Sequence, residues 1–208
     1  MKVLELFCGT KSFAKVFEEY GYEVFTVDID DRFKPDLVID IMDLKANDIP
    51  FKPDVIWASP PCKSFSVAAL GKNWKKEGKE YLPTSDRAIY GMNMVKKTIQ
   101  LINELKPKYW FIENPRAMLR KQSFMEELPI RHTVTYCQYG DTRMKPTDIW
   151  TNCEEWKPKP PCNNGDPCHI SAPRGSVTGT QGLKNAIERG RVPEELCKEI
   201  LLVCEKNI

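Results

Sequence analysis

The sequence predicts an α/β protein: an open, mostly parallel sheet flanked by helices, with one small irregular Cys-rich insert. Three observations predict it. Short apolar runs recur along the chain, and the first two bracket a stretch with helical spacing, the βαβ signature of a parallel sheet. Several of these runs end in polar or reactive residues, where open α/β sheets place their ligands. From Asn152 to about Gly182 periodicity fades, and cysteine, proline and glycine gather instead.

The elements follow in order. Lys2 to Phe7 is an apolar run and reads as a buried strand, with a Gly-containing turn at Cys8 to Ser12. Phe13 to Tyr20 alternates apolar and charged residues at helical spacing, and Gly21 closes the helix. Further strands are predicted at Glu23 to Val27, ending in Asp28, and at Leu37 to Ile39, ending in Asp40. A fourth, Asp54 to Ala58, runs into Ser-Pro-Pro-Cys. Lys72 to Lys79 is charged and reads as a mobile loop. Arg87 to Leu105 is a long helix, Lys108 to Ile112 a fifth strand entering Glu113-Asn114-Pro115, and Arg131 to Tyr136 a sixth. Pro193 to Val203 is an amphipathic helix with Pro193 in its first turn. The expected organisation is a catalytic body over 1–151, the insert over 152–182 and a C-terminal helix over 183–208 that returns to the body.

Composition bounds the function. With 41% hydrophobic and 29% charged residues the chain is globular, and a net charge of +2 gives no bulk attraction to polyanions. Nucleic-acid contact would need a local patch. No apolar run approaches ~18 residues, so no membrane span is expected. The first residues lack the layout of a signal peptide, so the expected setting is the reducing cytoplasm, and the expected state a monomer. Eight cysteines in that setting point to catalysis or metal rather than disulfides.

Chemistry gathers at the predicted strand ends: Cys8-Gly9-Thr10, Asp28, Ser59 to Cys62, and Glu113. Asp28 has the placement of a carboxylate that accepts from ribose hydroxyls, against the simpler reading of a turn aspartate. Asp40 would accept from an adenine amino group, or sit in a surface turn. Cys62 follows two prolines that stiffen its loop, and a thiolate is a soft nucleophile for a polarised carbon. Glu113 would exchange a proton with a ring nitrogen, or rest as an edge carboxylate in water.

The insert holds Cys153, Cys162, Cys168 and His169, a donor set for one structural zinc; Cys137 is an alternative fourth ligand, and free cysteines the alternative to any metal. Cys8 and Cys197 look like core or loop residues, and Cys204 like a helix-face residue. Lys72, Lys75, Lys76, Lys79, Arg87, Lys157, Lys159 and Arg174 would form a phosphate-contacting face, or an ordinary solvated surface. Trp74 would stack beside a flipped base, or pack its own loop.

In order, LELFCGTKSF, VDID, Asp40-Ile41, SPPCKSFS and ENP resemble the motifs of the cytosine-5 DNA methyltransferases, over residues 1 to about 150. The resemblance implies a Rossmann-like S-adenosylmethionine-dependent methyltransferase fold acting on cytosine in DNA, with base flipping. It implies Cys62 as the nucleophile at C6 and Glu113 as the N3 partner. Arg143 and Lys145 match the family's Arg-x-Arg element, which holds the base. The implied S-adenosylmethionine set is Phe7, Cys8, Gly9, Thr10 and Ser12 in the first loop, Asp28 with Ile29, Asp40 with Ile41, Ser59 and Pro61. Val192 joins it from Gly190-Arg191-Val192-Pro193, which resembles the family's Gly-Asn-x-Val-Pro element. Lys11 and Ser12 replace glycines of the family loop, Asp141 replaces a Gln, Pro115 a Val, and the C-terminal Asn is missing. The target-recognition region is small. These departures bear on specificity rather than on reaction class. Other readings are an RNA cytosine-5 methyltransferase, a catalytically silent nucleic-acid binder, and transfer of another group from a modified cofactor whose added carboxylate meets Lys11.

Overall fold

In a computed structural model of the chain, the described residues are 1–66, 70–171 and 185–208. The elements run β1 (Lys2–Leu6), α1 (Ser12–Glu19), β2 (Glu23–Asp28), β3 (Leu37–Val38), β4 (Val55–Ala58), α2 (Leu70–Asn73), β5 (Trp74–Glu77), β6 (Glu80–Pro83) and α3 (Asp86–Leu105). They continue with β7 (Tyr109–Pro115), β8 (Ile130–Thr135), β9 (Pro146–Thr151), α4 (Ala186–Gly190) and α5 (Glu194–Asn207). Seven strands form one sheet in the order β3-β2-β1-β4-β7-β9-β8. Neighbours are parallel except β9, which is antiparallel to both β7 and β8.

The chain starts at β1, steps outward to β2 and β3, then crosses back to β4 on the other side of β1. The carboxyl ends of β1 and β4 therefore flank the point where strand order reverses, which is the ligand crevice of open α/β sheets. Alternation along β1 and β4 sorts the core into two layers. Val3, Val55 and Trp57 pack with Phe13 and Phe17 of α1 and with Leu196, Ile200 and Leu201 of α5. Leu4, Leu6, Ile56 and Ala58 pack on the opposite face with Ala88, Val95, Leu101 and Ile102 of α3. Because both faces are covered, central strands read as continuous apolar runs.

Glu5 breaks that run for a reason. It is 3% exposed, and its carboxylate accepts from the Phe13 and Ala14 N–H groups at 3.3 and 2.9 Å. Lys11, at the N-cap of α1, gives no side-chain cap and sits at φ 56°, so Glu5 supplies the missing cap from the neighbouring strand. Burial pushes its carboxyl up to about 8 against the pull of those two N–H groups.

Two expectations are corrected. Lys72 to Lys79 is not a loop: it spans the end of α2 and most of the β5–β6 hairpin. Gly78 (φ 61°) is the first residue of the two-residue turn, the type II′ chemistry that joins antiparallel strands. The sheet also holds a seventh strand, β9, that patterning missed. Its opening Pro146 reads as a breaker, yet proline is tolerated at the first residue of a strand. No helix among the described residues is long and apolar enough to cross a membrane.

Candidate active site and cofactor pocket

A cavity of about 420 Å³ lies at the carboxyl ends of β1, β2 and β4. Phe7, Asp28, Ile29, Asp40, Ile41, Ser59 and Pro61 line it, together with Arg87, Tyr90 and Met94 from α3. The backbone before α1 is tightly coiled: Phe7, Gly9 and Lys11 all lie in the left-handed region, at φ 58°, 46° and 56°. At the two non-glycine positions this costs about 1–3 kcal/mol each, strain of the kind found at binding sites. Asp28 holds this loop, since its carboxylate accepts the Gly9 N–H at 2.8 Å and the Asp30 N–H at 2.9 Å. Each carboxylate oxygen has further acceptor capacity. Ile29 stands 65% exposed on the pocket wall, an apolar surface suited to the face of an aromatic ring. Tyr90 donates to Asp40, and that bond is the first cause raising its phenol pKa to about 12.

The sequence suggests Arg87 for a phosphate-contacting face and does not single out Tyr90 or Met94, although the three share one helix face at the i, i+3, i+7 spacing. Gly91 adds a packing constraint. A Cβ there would lie 2.7 Å from Ser64 Oγ, so glycine lets α3 approach the turn that follows Cys62. Thr10, Ser12 and Val192 lie elsewhere, in a wider polar cleft of about 840 Å³ shared with Lys15, Asp141 and Arg143. Cys8 lines neither cavity: it is 4% exposed, and burial pushes its thiol up to about 12. Gly9 also lies off both walls and contributes its N–H to Asp28.

Cys62 begins a single 3-10 turn after Pro60 and Pro61. Glu113 lies in β7 one residue past its last pair with β4, Ala58 opposite Ile112. Asn114 fastens the two ends, donating from Nδ2 to the Pro60 carbonyl at 2.9 Å. Glu113 is 5% exposed; its Oε1 accepts the Tyr136 hydroxyl at 2.9 Å and lies 4.0 Å from Lys145 Nζ. Lys145 Nζ in turn sits 4.4 Å above the Tyr136 ring. Burial lowers the Lys145 ammonium pKa, and the Glu113 carboxylate opposes that. The Cys62 residue is exposed, yet the protein around its sulfur raises the thiol pKa; Glu113 adds to the rise and Lys145 opposes it. The thiol, carboxylate and ammonium thus form one electrostatic group.

Arg143 is placed differently from Lys145. Its guanidinium grips Asp141 through Nε and Nη2, and reaches the carbonyls of Glu188, Arg189 and Arg191 at 3.0–3.3 Å. It anchors the segment before α5 to the loop that carries Lys145, which explains an aspartate at position 141. Trp74, at the start of β5, packs inward: it is 4% exposed, stacked on Phe65 at 5.7 Å, and bonded through Nε1 to the Ser64 carbonyl at 2.7 Å. The hairpin it anchors presents Lys75, Lys76 and Lys79 to solvent. Arg174 lies outside the described residues.

The expected metal set needs one correction. Cys137, Cys162, Cys168 and His169 bring their donor atoms within 4.8 Å of one another. Cys153 is not among them; it is fully buried in the core that includes Trp156 and Phe111, with its thiol toward Glu155. Its position directly after β9 carries it under the sheet.

Comparison with known proteins agrees with this geometry. The sequence profile described as "C-5 cytosine-specific DNA methylase" matches residues 1–130. A protein of Frog virus 3 (isolate Goorha), named "Probable DNA (cytosine-5)-methyltransferase", is 31% identical over 230 aligned positions, covering 98% of this chain and 100% of the viral one. Among solved structures, a protein from an E. coli prophage described as a DNA modification methyltransferase superposes with a TM-score of 0.52 at 20% identity. That match covers 73% of this chain and 46% of the other. The Entamoeba histolytica methyltransferase EhMeth gives 0.51 at 15% identity, covering 73% of this chain and 52% of that one. The chain spans about half the length of these solved relatives, which share its fold.

Proposed function

Because the chain belongs to the C-5 cytosine-specific DNA methylase family, we propose that Cys62, Glu113 and Lys145 are its working residues for S-adenosylmethionine-dependent methylation of cytosine C5 in DNA. The observation that carries this assignment is the buried Glu113, held by Tyr136 and Lys145 one residue past the last pair that β7 makes with β4, the strand that delivers Cys62.

The pocket at the strand ends suits S-adenosylmethionine. Asp28 and Asp40 offer carboxylates for ribose hydroxyls and an amino group, and Ile29 offers an apolar face for a purine. Bound there, the cofactor supplies an electrophilic methyl group. The chain's residues prepare the base to accept it. Cytosine in a duplex is out of reach, so the base must leave the stack. The lysines of the β5–β6 hairpin suit flanking phosphates, because Trp74 ties that hairpin to Ser64, two residues from the nucleophile. The Cys62 sulfur forms its bond to C6 as Glu113 shares a proton with N3, so negative charge does not build on the ring. Tyr136 and Lys145 fix the Glu113 carboxyl in place for that exchange. With S-adenosylmethionine bound, C5 would take its methyl group as the methyl–sulfonium bond breaks. A base such as solvent water would then take the C5 proton, the C5=C6 bond would re-form as the C6–sulfur bond breaks and frees the Cys62 thiolate, and the N3 proton would return to Glu113.

The test is covalent trapping. Fluorine at C5 blocks the last elimination, so the enzyme stays attached to its target. With S-adenosylmethionine and a 5-fluorocytosine oligonucleotide, a denaturing gel should show a shifted band for DNA, and none for Cys62→Ala. A band with RNA alone would overturn the DNA assignment, and a band retained by Cys62→Ala would overturn the nucleophile. The alanine variant should lose at least ~10³-fold in turnover, as removal of a nucleophile does.

A further inference from the structure

We propose that Cys137, Cys162, Cys168 and His169 bind one structural zinc ion, which fastens the Cys-rich segment to the loop beneath Glu113. Three sulfurs and an imidazole converge there from two parts of the chain: Cys137 follows β8, and the other three follow β9. Cys162 Sγ and Cys168 Sγ each lie 3.6 Å from His169 Nδ1, and Cys168 Sγ lies 3.6 Å from Cys137 Sγ. Zinc binds sulfur at about 2.3 Å and imidazole nitrogen at about 2.0–2.1 Å, so a tetrahedron sets S···N near 3.6 Å and S···S near 3.8 Å. Three contacts have that spacing. The fourth, Cys137 to Cys162 at 3.1 Å, is tighter and would open slightly around an ion.

The surroundings ask for such a fastener. From Lys157 to Ser171 the chain contains no helix or strand, and nearly every residue is exposed or half-exposed. A segment without a core of its own needs a staple. Among the described residues, its backbone docks on the stretch from Thr135 to Thr142: the Cys162 N–H donates to the Thr135 hydroxyl, the Lys159 N–H to the Tyr139 hydroxyl, and the Ile170 N–H to the Thr142 carbonyl, at 2.8–3.0 Å. Four protein donors fill a tetrahedron and leave no position for a substrate, which makes the site structural rather than catalytic. Loading requires three thiolates, so three protons leave and the filled site carries a net charge of −1.

The position gives the site its role. Cys137 directly follows Tyr136, whose hydroxyl bonds Glu113, and the Ile170–Thr142 bond abuts Arg143 and the loop bearing Lys145. Zinc would therefore hold both partners of Glu113 from behind. The site is defined by its donor geometry and is independent of the reaction assigned to Cys62.

The test uses the full chain expressed with zinc in the medium. Elemental analysis should find one zinc per chain, lost in Cys168→Ser and His169→Ala and kept in Cys62→Ala. Cobalt(II) added to metal-free protein should give the intense visible absorption of a tetrahedral thiolate site. Should either variant fail to fold, titrating the wild-type thiols with an organomercurial keeps the question open to measurement, with one zinc released as the cluster reacts. A chain that takes up neither zinc nor cobalt, or that holds a Cys137–Cys162 disulfide after reducing preparation, would overturn the proposal.

Discussion

The sheet body and the Cys-rich segment lie a few ångströms apart and are held by opposite means. In the body, Val3, Leu4, Leu6, Val55, Ile56, Phe111 and Ile112 bury completely between two helical layers. In the segment from Lys157 to Ser171 almost nothing is buried, and four donor atoms converge instead. Area-based stabilisation is distributed, so any one core residue matters by its volume. In the zinc site proposed above, stabilisation would be concentrated in four donors, so removing one would disable the metal site as a whole. The contrast explains how a chain of 208 residues can carry both a parallel sheet and an irregular appendage.

Three measurements would break or sharpen that contrast. The largest effect belongs to the body. Leu4→Ala should cost about 2–5 kcal/mol in denaturant unfolding through the cavity it leaves. Its zinc content should not change; a parallel loss of metal would show that the two regions are not separately held. Next comes the pocket. Asp28→Ala should weaken S-adenosylmethionine binding by about 1–3 kcal/mol in calorimetry, the usual cost of stranded hydrogen-bonding groups. Equal affinity would remove Asp28 from the site. The last is a pH effect inside the body. Glu5 has its carboxyl pKa raised from 4.5 to about 8, so between these values the folded chain keeps a proton that the unfolded chain releases. Stability should be full below that window and fall as pH rises through it. Thermal melts should drop by several degrees from pH 5 to pH 8, and Glu5→Gln should flatten the profile. A profile equally steep in the variant would assign the slope to other groups.

Much of the body was legible in the sequence. Apolar runs and the helical stretch between the first two predicted the parallel strands, and the ends of those runs gave Asp28, Asp40, Cys62 and Glu113. What stayed hidden depended on partners distant in the chain. Tyr136 reads as the end of a strand until Glu113 arrives above it. Arg87, Tyr90 and Met94 read as one side of a surface helix until the strand ends bring a cavity to them. The metal set was misread at one position because proximity in sequence favoured Cys153, whereas the fold carries Cys153 into the core and brings Cys137 across from the turn after β8. For Trp74 the sequence left two readings open, stacking beside a base or packing, and its stack on Phe65 favours packing. Lys145 matched a motif, but its left-handed backbone at φ 31° and its place over the Tyr136 ring are visible only in three dimensions.

The gap at Gly91 has a mechanical meaning. With Ser64 Oγ 2.7 Å from where a Cβ would stand, and that same hydroxyl donating to the Arg87 carbonyl, α3 and the turn bearing Cys62 mesh like teeth of one gear. A single methyl group on the helix would push against Ser64 in the turn that carries Cys62, while Tyr90 and Met94 of the same helix line the pocket at the strand ends. The long helix thus acts as a shared spacer between the turn that carries Cys62, the proposed nucleophile, and the pocket that Arg87, Tyr90 and Met94 line.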